Sequence, residues 1–315
     1  MTTLAQLAGN STMAYVNNLI SYPRHSSNAP KVAYNFHTNN LGSGGYMQLS
    51  ADELKNGSLN PSTLTFAIQQ IKMNGHVVFE SVIPPDLISE LRTHFNQLLD
   101  HDVATKEANR GKNRYQMHLP FIKPFIHQQV VANPIVLSII DEFLGENCIC
   151  HYLGGNTPLP DAEYQTLHSD IHQLFPDSDV VSPVYCIVLD IPLVDFRQDN
   201  GAMEIWPGGT HLMPNGIDIE TVSKIMHSEQ VIMPTGSLLI RDARMWHRGT
   251  PNQSNTPRPN MALMYACHWF KTMYPQIGIR QDIYDSLSER SKQLFRHEAV
   301  GTGEDPREMM VTRWT

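Results

Sequence analysis

The chain reads as a mainly β domain with flanking helices, in which an antiparallel barrel carries the chemistry. Three observations lead there. Helical apolar spacing dominates residues 64–144, and runs rich in β-branched residues take over after Gly145. His168 and Asp170 stand two apart in an extended segment, so their side chains share a face. His247 follows about eighty residues later at the edge of a second strand pair, and only a folded antiparallel barrel returns it to the first two.

The elements follow in order. The first fifty or so residues are rich in Asn, Ser and Gly and weak in periodicity; residues 1–60 are expected to form an N-terminal extension that caps the core or closes over a substrate. Residues 64–73 form a helix with Phe66, Ile68 and Ile71 inward, ended by Asn74-Gly75 ahead of a strand at 76–79. Pro84-Pro85-Asp86 starts a second helix whose Leu87, Leu91, Phe95 and Leu98 fall at helical spacing. Residues 134–144 form a third, with Pro134 in its first turn and Gly145 past its end.

Strands take over from there. Residues 180–196 alternate unevenly, and Asn200-Gly201 turns into residues 202–206, a pair that resembles an antiparallel hairpin. Residues 219–226 form a helix, Gly236 re-enters the sheet, Met261-Ala-Leu-Met-Tyr265 is an apolar strand, and residues 286–297 form a closing amphipathic helix. No internal repeat, low-complexity tract or Pro-rich linker divides the chain, which reads as a single domain over 1–315 with helices and barrel in 61–300.

Composition excludes several classes. A formal charge of -8 opposes sequence-independent nucleic-acid binding, which needs a cationic face. No stretch approaches membrane-spanning length and no basic segment leads into an apolar run at the front, so the cytoplasm is the expected location. Cys148, Cys150, Cys186 and Cys267 lack Cys-x-x-Cys spacing and read as reduced core residues. A small-molecule partner is expected; the oligomeric state stays open, a homodimer included.

His168 and Asp170 with His247 are the candidate metal ligands. Two histidines and one carboxylate occupy one face of an octahedral Fe(II) and leave three positions for a co-substrate and O2. With 15 histidines and 31 acidic residues in 315 positions, His-x-Asp/Glu arises by chance roughly one and a half times. The chain holds two matches; the second, His227-Ser-Glu229, has no partner signal nearby and reads as a surface turn. Arg258, eleven positions after His247, supplies a guanidinium able to grip the distal carboxylate of 2-oxoglutarate with two parallel hydrogen bonds. Gln165, three residues before His168, is placed to donate to the C1 carboxylate.

Taken together, these residues resemble the phytanoyl-CoA dioxygenase family of Fe(II)- and 2-oxoglutarate-dependent oxygenases. The segments that carry the resemblance are Met73-Asn-Gly-His-Val-Val-Phe-Glu80, Ile83-Pro-Pro-Asp-Leu-Ile-Ser-Glu-Leu-Arg92, Gln165-Thr-Leu-His-Ser-Asp170, Asp199-Asn-Gly-Ala-Met-Glu-Ile-Trp-Pro-Gly-Gly-Thr-His211, and Gly236-Ser-Leu-Leu-Ile-Arg-Asp242 running on to His247-Arg-Gly-Thr-Pro-Asn252 and Arg258. They cover about residues 65 to 270.

The resemblance implies a double-stranded β-helix (jelly roll, cupin-like), with Fe(II) bound by His168, Asp170 and His247 and 2-oxoglutarate held by Arg258 and Gln165. It also places His211 away from the metal, as a brace for its turn. Met203 stands where the family often carries Thr or Ser, Gly209-Thr-His211 replaces Gly-Ser-His, and Arg248 replaces a small residue. Halogenating relatives carry a small residue in place of the carboxylate, so Asp170 favours hydroxylation, desaturation or a related C–H oxidation.

Substrate residues are expected at Gln116 and His118, on the segment that in this family runs beside the active site, and at Phe121, Met203, Trp206 and Trp246, which could line an apolar cavity. The expected substrate is a small, largely apolar metabolite, as in natural-product biosynthesis. Two other readings stay open at this point. A zinc hydrolase also uses two histidines and a carboxylate, although it needs neither Arg258 nor Gln165. A non-catalytic metabolite-binding or sensing jelly roll is the other.

Overall fold

The computed structural model describes residues 45–175, 177–272 and 275–301. Strand β1 (Tyr46–Met47) and helix α1 (Ala51–Asn56) come first, so residues 45–60 of the expected extension join the folded body, while residues 1–44 lie outside the described residues. A capping box closes the start of α1: Ser50 Oγ accepts from the Glu53 N–H, and the Glu53 carboxylate accepts from the Ser50 N–H.

Helix α2 (Pro61–Asn74) starts three residues earlier than its apolar pattern suggests, with Pro61 in the first turn, where a missing N–H costs nothing. Gly75, at φ 86°, ends it by donating to the Ile71 carbonyl and releases the chain directly into β2 (His76–Phe79). Helix α3 (Pro85–Thr105) buries Leu87, Leu91, Phe95 and Leu99; Leu98, expected inward, is half-buried because the four-residue spacing continues to Leu99. Strand β3 (Arg114–His118), the short helix α4 (Gln128–Val131) and α5 (Pro134–Leu144) follow, and α5 is the expected third helix.

The barrel strands are β4 (Ile149–Pro158), β5 (Cys186–Pro192), β6 (Met203–Ile205), β7 (Glu229–Gln230), β8 (Leu238–Asp242), β9 (His247–Gly249) and β10 (Asn260–Ala266), with helix α6 (Ile219–Val222) between β6 and β7. A seven-stranded sheet runs β1-β2-β8-β5-β10-β4-β3, antiparallel except for β1 on β2. A three-stranded sheet runs β7-β6-β9, widened by bridges at His168–His247, Phe196–Met233 and Asn200–Asn252. The architecture is a double-stranded β-helix.

Strand alternation divides the core. Ile187, Leu189 and Ile191 of β5, Leu238 and Ile240 of β8, and Met261, Leu263 and Tyr265 of β10 join one apolar cluster with α2, α3 and α5. The residues between them face the other way. Val188, Met264 and Ala266 join a second cluster, and Asp190, Arg241 and Asn260 line an internal cavity.

The expected hairpin does not form. β5 is hydrogen-bonded on both edges, to β8 and β10, and buried throughout, which explains its nearly continuous apolar run; β6 belongs to the other sheet. The strand is also shorter than residues 180–196, with Val180 exposed. The expected closing helix over 286–297 is shorter, α8 (Glu289–Leu294), started where Ser288 Oγ accepts from the Ser291 N–H, and a separate short helix α7 (Gln281–Asp285) precedes it. Two short strands, β11 (Gly278–Ile279) and β12 (Ala299–Val300), pair beside them. Cys148, Cys150 and Cys186 are buried and unbridged, and Cys267 is partly buried and unbridged.

Candidate metal and co-substrate site

Backbone pairing sets the two histidines. The His168 N–H donates to the His247 carbonyl at 3.1 Å and the His247 N–H returns the bond at 2.9 Å, which brings the rings to a centroid separation of 4.4 Å. Each Nδ1 lies against a carbonyl two residues back, Thr166 at 2.7 Å and Met245 at 3.0 Å. A carbonyl only accepts, so both Nδ1 atoms carry the proton and both Nε2 atoms present a lone pair.

Asp170 completes the cluster. Its Oδ1 lies 3.6 Å from His247 Nε2 and 4.0 Å from His168 Nε2. The three donor atoms sit within 4.8 Å of one another, the only such group among the described residues, and one imidazole pair plus one carboxylate suits a divalent iron. Amide donation from Asp170 to the Ala243 carbonyl at 2.9 Å anchors the loop.

Charge keeps these groups in ligand form. Burial alone would raise the Asp170 carboxyl, but Arg241, helped by His247 and His168, outweighs it and holds the group well below the usual carboxylate range. Burial, then Arg241, pushes His247 down to about 3, so its imidazole is neutral at neutral pH.

The guanidiniums of Arg258 and Arg114 face the same cavity. Arg258 is 3% exposed, lies 4.2 Å over the Phe196 ring and has no hydrogen-bond partner at Nε; burial and the nearby Arg114 push its pKa down to about 9. Arg114, 1% exposed, donates through Nη2 to the carbonyls of Glu163 and Thr250 at 3.0 and 2.9 Å and leaves Nη1 unpartnered. Two buried cations with unused donors are costly unless an anion joins them. Gly249 makes the room, since a Cβ there would sit 2.3 Å from Arg114 Nη1.

Gln165 lines the cavity as the sequence suggests, with its Oε1 accepting from the Gly249 N–H at 3.1 Å, which orients the amide. Met203 and Gln116 also line it, Gln116 donating to the Tyr152 hydroxyl at 2.7 Å. His118 packs edge-on against Tyr152 at 5.4 Å and is not among the lining residues.

Two expected substrate residues, Phe121 and Trp206, stand elsewhere. Phe121 is fully buried in the helical core against Phe295. Trp206 and Trp246 pack with Leu167 in a separate cluster; Trp246 nevertheless lines, together with His168, Leu167 and Arg244, a second cavity beside the site, in keeping with its expected place. Arg248 is paired with Glu204 at 2.7 Å and stacked over Tyr164. His211 Nε2 lies 3.2 Å from the Lys72 carbonyl, so it ties its turn to the end of α2. His227 is exposed, 3.8 Å from Glu229.

Arg241, Asp190, Asn260 and Arg114 also line the cavity, though the sequence reading gave them no role in the site. One signal was legible: a charge inside an apolar run, as in Leu238-Leu-Ile-Arg and Ile187-Val-Leu-Asp, marks a buried ion that needs a partner.

Comparison with known proteins gives a consistent picture. The sequence pattern of the phytanoyl-CoA dioxygenase family matches residues 71–260. The chain is 21% identical over 243 residues to dioxygenase cdmA of Talaromyces verruculosus, covering 72% of this chain and 81% of the relative. It is 22% identical over 244 residues to the multifunctional dioxygenase ausE of Penicillium brasilianum, covering 71% and 79%. Among solved structures, EvdMO1 superposes with a TM-score of 0.54 at 20% identity, over 64% of this chain and 50% of that one, so the chain spans about half its length. The non-heme alpha ketoglutarate dependent epimerase SnoN from nogalamycin biosynthesis superposes with a TM-score of 0.52 at 18% identity, over 66% and 84%.

Proposed function

The chain belongs to the phytanoyl-CoA dioxygenase family and is an Fe(II)- and 2-oxoglutarate-dependent dioxygenase, and from that premise we propose that it oxidises a C–H bond of a small, largely apolar natural-product metabolite. In this reading His168, Asp170 and His247 hold Fe(II), Arg258 and Arg114 receive the distal carboxylate of 2-oxoglutarate, and Gln165 orients its C1 carboxylate. Bound iron supplies the activation of O2: one oxygen atom ends in succinate, released with CO2, and the other oxidises the substrate.

The observation that carries the reading is the combination of two imidazole Nε2 lone pairs and one carboxylate oxygen with two partnerless guanidinium donors, all facing one cavity. A hydrolase needs a carboxylate free to act as general base. The cavity's two carboxylates, Asp170 and Asp190, are both paired with Arg241, which disfavours that alternative. Val188, Ala262 and Met264 give the cavity an apolar wall, with Tyr152 beside them, in keeping with an apolar substrate. Hydroxylation, desaturation and cyclisation all begin from the same hydrogen abstraction, and the substrate's own geometry selects among them.

The test is anaerobic addition of Fe(II) and 2-oxoglutarate, followed in air by a screen of apolar metabolites for stimulated succinate release. A visible metal-to-ligand charge-transfer band and a substrate-dependent rise in succinate are expected. Absence of the band removes the co-substrate assignment; a band without any stimulation by apolar compounds, but with stimulation by charged ones, removes the substrate class.

A further inference from the structure

β8 carries an ion where an apolar strand needs none. Arg241, 3% exposed, stands between two carboxylates: its Nη1 lies 2.7 Å from Asp170 Oδ2, a charge contact not aligned as a hydrogen bond, and its Nε donates to Asp190 Oδ2 at 3.0 Å. Asp190 is itself held, its Oδ1 accepting from Asn260 Nδ2 at 2.8 Å. Register explains the arrangement. Arg241 is opposite Val188 on β5, which puts Asp190 diagonally beside it on the inner face, and Asn260 starts β10 two residues after Arg258.

This network divides the Asp170 carboxylate. Oδ2 faces the guanidinium, and Oδ1 is the oxygen near the two Nε2 atoms. A buried ion triad is seldom worth its desolvation as a source of stability, since apolar residues of similar volume do as well. Its position against a ligand gives it another use. We propose that Arg241, locked by Asp190, is a positioning residue that keeps Asp170 a one-oxygen donor of reduced charge, so that the metal stays three-coordinate to protein and open to 2-oxoglutarate. This rests on the ligand assignment above. A carboxylate giving both oxygens would take one of the three positions that the co-substrate and O2 require.

The proposal separates from a bracing role by the sign of one measurement. A mere brace, when lost, weakens metal and co-substrate binding together. Loss of Arg241 in the proposed role strengthens metal binding, because a cation one carboxylate away from a divalent ion costs about ten-fold in affinity even with water-like screening.

The double variant R241M/D190N removes both charges, so neither is left alone. It is expected to bind Mn(II), titrated by its electron paramagnetic resonance, about three-fold more tightly than the parent, because the cation removed stands nearer the metal than the anion removed, while 2-oxoglutarate binds the Mn(II) protein more weakly. Parallel weakening of both overturns the proposal. R241K, which keeps the charge but not the planar fork, is expected to hold Mn(II) affinity within about two-fold and to lose 2-oxoglutarate affinity, and it carries the test should the double variant fail to fold. Full binding of both in R241K overturns the need for the fork. A parent protein that does not bind Mn(II), or binds it equally after H168A, sinks the ligand assignment itself.

Discussion

His168 and His247 are backbone partners before they are anything else: a reciprocal pair of hydrogen bonds at 3.1 and 2.9 Å joins them across 79 residues of chain. The pairing places the two rings side by side through the backbone bonds of the sheet. Replacing His168 with Ala should spare the backbone bridge and remove one donor. Outer partners of metal ligands are worth about 10- to 100-fold in affinity, so loss of a ligand should cost at least about 100-fold, with loss of metal-dependent succinate formation. An H168A protein that binds Mn(II) like the parent contradicts the assignment.

Arg258 is the expected anchor of the co-substrate. Truncating one partner of a buried charge pair typically costs about 2–5 kcal/mol, so R258A should raise the KM for 2-oxoglutarate by about 100-fold. Metal affinity should barely change. Lysine should not restore the KM, because an ammonium cannot offer two parallel bonds. The comparison needs only steady-state succinate assays at varied 2-oxoglutarate; an unchanged KM in R258A would dismiss the residue.

Gly249 gives an independent probe of Arg114. An added methyl at 2.3 Å from Nη1 must displace a guanidinium that two carbonyls already hold. Overpacking of that kind costs about 1–3 kcal/mol, so G249A should melt lower and bind 2-oxoglutarate less tightly. If melting falls but co-substrate affinity holds, Arg114 serves the fold alone.

Acid sensitivity should come in part from His151. Burial, then Lys271, pushes its imidazole down from 6.5 to about 4, and both ring nitrogens lack partners. Its folded pKa lies below the unfolded one, so as pH falls below 6.5 the unfolded chain takes up the proton first and stability is lost, by up to about 1.4 kcal/mol per pH unit, until the folded value is reached. H151L should lose less stability than the parent between pH 7 and about 4.5, as read from urea denaturation. Equal losses would place the acid sensitivity with other groups.

Local chemistry made much of this chain legible. Gly75 ends α2 and β2 starts at His76 where the pattern says, because caps and turns depend on neighbours a few residues away. Leu98 and the supposed hairpin of residues 180–206 misled for the opposite reason. Which of two adjacent leucines faces inward, and which strand lies beside β5, depend on partners distant in sequence. Phe121 and Trp206 show the same limit, since an aromatic residue near a motif in the chain can pack into an apolar cluster instead of the site.

The sequence alone determined the family and singled out the three metal-ligand candidates and the arginine proposed for the co-substrate, because spacing along a strand and the interval from His247 to Arg258 are one-dimensional facts. Only the tertiary structure decided that Asp170 shares its charge with Arg241 and Asp190, and that Arg114 joins Arg258. Those contacts arise where β3, β5, β8 and β10 bring their inner faces together, and the energy of a buried charge is set by what stands opposite it, which no stretch of chain specifies by itself.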